Sequence, residues 1–451
     1  MANIGKKPRP EPSRLLVFQF LTQVNRQGAY ANLRLPELLA GSDLQERDRA
    51  FATELGYGTL RMQGKHDALI KNHIDRPFEE IDAGIIDLLR MGIHQISEMR
   101  VPNHAAVGET VEVARATIGE SKASFVNAIL RKASEDTEFL LRVEAIADPK
   151  LRLATLHSHP EWEVASFYDQ LHDWDDVEAL LRFNNIPVKP HLIAWSGRSD
   201  TSELIAEGGE SLAWTSHGVL SAKAPGTYKA VRERRAGVQD RGSQLVAQIF
   251  LNTAKDEEQS LHWLDMCAGP GGKAAALFTD LAQNRPADRF TANEPSEHRA
   301  RLVSQVIPDE KVISYQGQDL PNLGAMYDRI LIDAPCTGLG ALRRRAEARW
   351  RRTPQDLKEL VKIQRELLSA GLEILNDGGI LAYVTCSPHI LETKAQILEI
   401  LHRNKGFHLV DIHPYLPAEV PTRVLGDDGT LQLWTHRDDS DSMFMALLTR
   451  N

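Results

Sequence analysis

Cysteine is scarce, with three in 451 residues: Cys267, Cys336 and Cys386. Three thiols cannot build a disulfide framework, and no C-x-x-C pair offers a zinc knuckle, so the chain is expected to hold no metal and to work in the reducing cytoplasm. Long apolar runs are missing as well. No stretch approaches the ~20 apolar residues of a membrane span, and the opening MANIGKKPRPEPSR lacks the apolar run of a signal peptide and reads as a frayed tail. There is no Gly/Pro excess and no low-complexity block, which excludes a fibrous or mostly disordered chain. Basic residues are outnumbered, 53 Lys+Arg against 62 Asp+Glu for a net charge of −9. That balance averages over domains and does not veto a local basic groove.

What remains is 42% hydrophobic and long enough, at roughly 100 to 200 residues per domain, for two to four domains. Residues 10–140 read as a helical bundle with nearly balanced charge. Ser13 is placed to cap a helix carrying Leu15, Phe18 and Leu21; Leu44, Phe51 and Leu55 keep a helical period; Ile85, Ile86, Leu88, Leu89 and Ile93 form a wide apolar face; and Phe125 to Arg131 closes the core. Residues 150–235 are mixed and read as a small α/β connecting domain, with a Pro-punctuated loop from Asn184 to Pro190 leading into an apolar strand, Leu192 to Trp195. Its basic end, Lys223 to Arg235, reads as a solvated face. From 236 to 451, strand-like runs alternate with helical patterns. Strands are predicted at 261–267, 290–292, 312–315, 329–333 and 380–386, with helices from 274, 296 and 354, an order that points to a doubly wound α/β sheet. Leu431 to Trp434 and Met443 to Leu448 are expected as an antiparallel edge pair.

Three segments of this last domain carry chemistry. The first, Leu264-Asp265-Met266-Cys267-Ala268-Gly269-Pro270-Gly271-Gly272-Lys273, runs from a strand through a Gly-rich turn into a helix, where small residues admit a ligand close to the backbone and helix amides attract negative charge. Ala274 after the lysine rules out a P-loop, but a nucleotide-like cofactor fits, with Glu294 at the next strand end as an acid suited to ribose hydroxyls. The second is Asp333-Ala334-Pro335-Cys336-Thr337-Gly338 and the third Tyr383-Val384-Thr385-Cys386-Ser387-Pro388, both at carboxyl ends of apolar strands, where open α/β sheets bind ligands. A lone cysteine in a strand is more often a buried small hydrophobe than a nucleophile. Two at strand ends of one sheet shift those odds.

The strings DMCAGPGGK, DAPCTG and VTCS resemble the signature motifs of the Sun/Fmu-type RNA cytosine-C5 methyltransferases. The resemblance extends through Gln239-Asp240-Arg241-Gly242-Ser243-Gln244-Leu245, Gln432-Leu433-Trp434 and Met443-Phe444. The segments DRAFATELGYGTLR and FVNAILR resemble the NusB-type RNA-binding domain of the bacterial small-subunit rRNA members. Nearly the whole chain is covered. The resemblance implies three parts: an all-α NusB-like bundle, a small α/β connecting domain, and a Rossmann-like class I methyltransferase domain using S-adenosylmethionine. It implies a monomer whose partner is RNA, most of all 16S rRNA; a tRNA or DNA cytosine methyltransferase and a non-catalytic ribosome-assembly factor are the alternatives.

Cytosine C5 is a poor nucleophile, so methylating it requires a thiolate to add at C6, which makes C5 enamine-like; loss of the C5 proton and of the sulfur then restores the base. The target base must leave its stack to reach such a pocket. Chemistry alone does not choose between Cys336 and Cys386. The resemblance implies that Cys386 attacks and Cys336 resolves the adduct, with Asp333 and Lys273 in the pocket. Cys267, Ala268, Gly269, Pro270, Gly271, Gly272, Lys273, Glu294, Asp319 and Asp333 are then expected around the cofactor, Glu294 on the ribose and Asp319 near the adenine.

Three positions depart from the family pattern. Glu294 is commonly Asp, an R-R-x-P-D-x-K-W stretch is here Arg343-Arg344-Arg345-Ala346-Glu347-Ala348-Arg349-Trp350, and P-E-E-N after the last cysteine is reduced to Leu391-Glu392-Thr393, to which no role transfers. The span 343–352 holds six arginines and one glutamate around Trp350, and next to a base-modifying site it reads as a phosphate clamp with a stacking platform.

Overall fold

The computed structural model describes residues 10–450; the basic segment before residue 10, expected as a frayed tail, lies outside them. The chain divides into two compact units, one of residues up to Ile186 together with Leu342–Arg351, the other of Pro187–Ala341 with Arg352 to the C-terminus. The expected connecting region 150–235 is thereby split between them. Its helices Pro149–Leu156, Glu161–Leu171 and Trp174–Asn184 belong to the first unit, where Pro149–Leu156 packs against Gln63–Lys71 and Phe139–Glu144. Its strands belong to the second.

The first unit is helical throughout. Helices Pro12–Gln27, Glu46–Arg61, Ala83–Ser97, Asn103–Ile118 and Glu120–Glu135 enclose one core containing Phe20, Leu55, Leu88, Leu89, Val126 and Leu130. The first helix begins one residue before its expected cap. Pro12 takes the first helical position, where its missing N–H is no loss. Glu11 is the cap and accepts from the amides of Ser13 and Arg14.

The second unit opens with a small antiparallel sheet of β1 (His191–Ala194), β2 (Glu210–Ser211), β3 (Gly218–Leu220) and β4 (Ala236–Val238), in the order β2-β3-β1-β4. The large sheet follows: β5 (His262–Asp265), β6 (Arg289–Asn293), β7 (Val312–Ile313), β8 (Tyr327–Asp333), β9 (Leu375–Thr385), β10 (Phe407–Val410), β11 (Leu431–Gln432) and β12 (Phe444–Arg450). Its order is β10-β12-β9-β8-β5-β6-β7, with β11 paired to β12. The strands from β9 through β7 are parallel, while β12 runs antiparallel to both β9 and β10. The expected antiparallel pair forms, with Leu431 opposite Met445 and Gln432 opposite Phe444, but β12 is interior to the sheet and not at its edge. Its residues Phe444 to Leu448 are buried, and the edge falls to β10, a short half-buried strand that the sequence pattern did not reveal.

Helices cover both faces, as a parallel sheet requires. Arg241–Asn252 and Gly272–Asn284 pack with Leu331, Ala382 and Val384 on one side; Pro354–Glu373 and Lys394–Arg403 pack with Ile330, Ile332 and Tyr383 on the other. Pro354–Glu373 starts where its sequence predicts, at a capping box formed by Thr353 and Asp356. Because the chain leaves β5 toward β6 and β7 and later returns to β8 and β9 on the other side, the order reverses between β5 and β8. A crevice at the carboxyl ends follows from that reversal.

Candidate active site

All three motifs meet at this reversal. β5 ends at Asp265, the Gly-rich turn follows, and helix Gly272–Asn284 begins. Gly271 has φ +113°, a conformation that side chains disfavour, and a Cβ on Gly269 would run into the Glu294 carboxylate. Glu294, buried just past β6, accepts from the Gly269 amide at 3.0 Å through Oε2 and from the Ser296 amide at 3.0 Å through Oε1. The carboxylate expected on a ribose thus also anchors the loop. Arg299 reinforces it, lying 3.4 Å from Glu294 and donating to the Gly269 carbonyl.

Asn293, buried at the end of β6, carries no signal in the sequence. Its amide donates to the carbonyls of Met266 and Tyr315 and accepts from the Tyr315 N–H, tying the ends of β5, β6 and β7 together. Asp319 stands apart, exposed in the 3₁₀ segment Gly317–Leu323 that follows β7.

Lys273 reaches from the first turn of its helix to the end of β8, donating to Asp333 Oδ2 at 2.8 Å. Burial opposes its charge, but the Asp333 carboxylate, with Cys386 and Asp265, outweighs burial and raises the lysine pKa. Asp265 is pushed up to about 7 by burial and then by the Asp333 charge; its Oδ2 is buried without a hydrogen-bond partner among the described residues.

The two strand-end thiols come within hydrogen-bond distance, Cys336 Sγ to Cys386 Sγ at 3.4 Å, and all three cysteines are free. They are not equivalent. The hydrogen bond from Cys336 lowers the Cys386 pKa below the ordinary thiol value, and Lys273 helps, against burial and the Asp333 and Asp441 charges. The same bond raises Cys336 well above that value, joined by burial and by the charges of Cys386 and Glu392. The lowered direction at Cys386 and the raised direction at Cys336 are those that a nucleophile and a protonated partner thiol require. Burial pushes Cys267 well up, in keeping with a loop residue and not a nucleophile.

The Cys336 loop is held by groups far away in sequence. Gly340 donates to the Cys386 carbonyl and accepts from the Ser442 amide, both at 2.9 Å, and a Cβ there would strike the Cys386 and Ser442 carbonyls. Glu392, fully buried, accepts from the Thr337 amide at 2.8 Å and hydroxyl and from the Gln364 side chain at 3.0 Å.

The arginine-rich span does not serve the expected role as a whole, since Leu342–Arg351 completes the helical unit. Arg349 is fully buried and donates to the carbonyls of Arg61, Ser158 and Asn184 and to Asn185 Oδ1. Arg351 donates to the carbonyls of Val24 and Ala29, near the end of helix Pro12–Gln27. Ala346 joins the core, the Trp350 ring fills the space over Gly64, and Arg343 stacks on Phe183 and donates to the Ile186 carbonyl. Buried carbonyls at helix ends need donors, and these arginines supply them. Arg345 and Arg352 are the exposed members.

The cradle fits a nucleoside-bearing methyl donor: a backbone turn kept small by Gly269 and Gly271, a buried acid at the next strand end, and an unpartnered buried oxygen on Asp265. Among the described residues, no group of three or more His, Cys, Asp or Glu could hold a metal ion, and no helix is long and apolar enough to cross a membrane.

Comparison with known proteins agrees with this geometry. Residues 248–449 match the family model of the 16S rRNA methyltransferase RsmB/F, and residues 11–135 match that of the NusB family. A Mycobacterium tuberculosis protein whose name calls it a methyltransferase is 42% identical, covering 99% of this chain and 98% of its own. The ribosomal RNA small subunit methyltransferase B of Pseudomonas putida is 31% identical over 88% of this chain and 91% of its own. The crystal structure of PH0851 shares the fold, with a TM-score of 0.78 at 20% identity over 99% of this chain and 100% of that one. With the motifs, the strand order and matches along nearly its full length in accord, the chain belongs to the RsmB/F family of S-adenosylmethionine-dependent 16S rRNA methyltransferases.

Proposed function

We propose that this protein methylates C5 of a cytosine in 16S rRNA through a covalent bond between Cys386 and C6 of the base. The observation that carries the reading is the thiol pair, 3.4 Å apart at two neighbouring strand ends, with the Lys273–Asp333 pair joined at 2.8 Å in the same cluster. The Cys386 thiolate adds to C6, and the electron pair of the 5,6 double bond moves to C5 in conjugation with C4 and N3, which makes C5 enamine-like, with Asp333 accepting from the N4 amino group at the N3/N4 edge. S-adenosylmethionine, when bound, supplies the electrophilic methyl group that the activated C5 takes up. Water then takes the C5 proton, the C5–H pair re-forms the 5,6 double bond, and the C6–S bond breaks with its electrons on the Cys386 sulfur; the Cys336 thiol assists by donating a hydrogen bond to that departing thiolate.

Cys267, Ala268, Gly269, Pro270, Gly271, Gly272 and Lys273 form the side of the pocket that would hold the methyl donor, with Glu294 toward the ribose, Asp319 toward the adenine and Asp333 between donor and base. The test is transfer of labelled methyl from S-adenosylmethionine to 16S rRNA by the wild type and Cys386→Ser, with the product nucleoside identified by mass spectrometry. The wild type is expected to yield 5-methylcytidine and the variant none. A different methylated nucleoside, or an active variant, overturns the reading. Transfer to tRNA in preference to 16S rRNA would redirect the substrate, and its absence from every RNA would favour an assembly factor.

A further inference from the structure

We propose that Glu392 is a positioning residue that divides the labour between the two cysteines: it clamps the Cys336 loop to the strand that leads into Cys386 and places a negative charge at the Cys336 end of the thiol pair. The inference deepens the reading above and rests on it for the catalytic consequence. The geometry stands on its own.

Glu392 lies six residues after Cys386 in the 3₁₀ turn Ile390–Glu392, and it is fully buried. Its Oε1 accepts from the Thr337 backbone at 2.8 Å and from Gln364 Nε2 at 3.0 Å, while Oε2 accepts from the Thr337 hydroxyl. Gln364 Nε2 donates in turn to the Pro335 carbonyl at 2.9 Å, so the residues on both sides of Cys336 are fixed. From strand β9, the Tyr383 hydroxyl donates to the Glu392 backbone carbonyl at 2.9 Å, and the hydroxyl of Ser387, next to Cys386, lies 3.2 Å from the Thr337 hydroxyl. The carboxylate toward Thr337 and Gln364 and the backbone carbonyl toward Tyr383 thus let one residue tie the Cys336 loop to the strand that leads into Cys386.

Its donors are neutral groups, so the charge is stabilised by hydrogen bonds and not cancelled. The charged and titratable surroundings of the pair are asymmetric. Cys386 faces Lys273, Asp333 and Asp441, whereas Cys336 faces Glu392. His389, on the Cys386 loop, uses Nδ1 to accept the Leu391 amide. Lys273 is the one positive group among these and stands on the Cys386 side, where Asp333 and Asp441 oppose it; the Glu392 carboxylate acts against charge on Cys336 and so favours the arrangement in which Cys336 keeps the proton and donates it to the Cys386 thiolate. That is the polarity needed for Cys386 to attack and Cys336 to assist release.

The test uses the full chain without RNA or methyl donor. Each cysteine's alkylation by iodoacetamide is followed by peptide mass spectrometry from pH 6 to 9, chosen as a range of about 1.5 units on either side of the midpoint. In the wild type, Cys386 is expected to react at least about tenfold faster than Cys336 at neutral pH, the ratio that one unit of pKa difference produces. Glu392→Gln keeps the shape and removes the charge; the ratio should fall to about threefold or less while Glu392→Asp retains most of it, and kcat should drop about tenfold with KM little changed. If Glu392→Gln fails to fold, Thr337→Val, which removes one donor only, decides by a smaller loss of the same ratio. An unchanged ratio in a folded Glu392→Gln, or in Thr337→Val where that variant decides, overturns the proposal. Since alkylation needs no methyl transfer, activity surviving in Cys386→Ser would remove the assigned nucleophile without touching this result.

Discussion

Two neighbouring segments make the most instructive contrast in the molecule. At Asp333 to Gly338, side chains meet other chemically active groups: Asp333, with 31% of its side chain exposed, holds Lys273, and Cys336 meets Cys386. At Arg343 to Arg352, six arginines promise an RNA clamp, yet Arg349 is fully buried and it and Arg351 spend their donors on backbone carbonyls of the helical unit. Motif spacing reports geometry, because consecutive residues at a strand end are necessarily neighbours. Charge composition reports only supply, and folding decides whether backbone or ligand takes it.

The contrast can be broken most sharply at its reactive side. Cys386→Ser should lower methyl transfer by on the order of 10³-fold or more, the scale of losing a covalent nucleophile, measured with labelled S-adenosylmethionine and 16S rRNA. On the structural side, Arg349→Met should destabilise the protein by about 3 kcal/mol or more in calorimetric melting, since each buried acceptor left without a donor costs about 1–3 kcal/mol. The same variant should leave the salt dependence of RNA binding unchanged. A stable Arg349→Met with a reduced salt slope would restore the clamp reading. The exposed pair should behave oppositely: Arg345→Gln with Arg352→Gln is expected to lower the slope by about one for each phosphate no longer neutralised, with little change in melting.

The smallest effect concerns pH. Asp265 titrates at about 7, above the ordinary carboxylate range, so between that range and about 7 the folded state binds more protons than the unfolded one. Its contribution to stability is therefore fullest in acid and falls as pH rises to about 7. Asp265→Asn should flatten that part of the pH profile of melting; an unaltered profile would contradict the assignment.

Much of the candidate site was legible in the sequence because its parts are contiguous strings, each ending a strand of one sheet. The anchoring residues were not. Asn293, Gln364 and Glu392 act on groups 22 to 55 positions away, and locally each is an ordinary polar residue. One of them does leave a trace: Gln364 interrupts the apolar stripe of Leu357, Leu360, Val361 and Leu368 in its helix, and a polar residue on a buried face needs a partner. Strand β10 escaped because four residues, half-buried at an edge, carry too little alternation. The allegiance of helices Pro149–Leu156, Glu161–Leu171 and Trp174–Asn184 depends on which neighbour their apolar faces meet, and periodicity does not encode that.

The division of labour between the sulfurs is tested most directly by trapping the intermediate. Cys336→Ala, incubated with 16S rRNA and S-adenosylmethionine, should accumulate an RNA-linked protein band on a denaturing gel, and Cys336→Ala combined with Cys386→Ser should not. A band that persists in the double variant, or one that forms in Cys386→Ser and not in Cys336→Ala, would contradict the account.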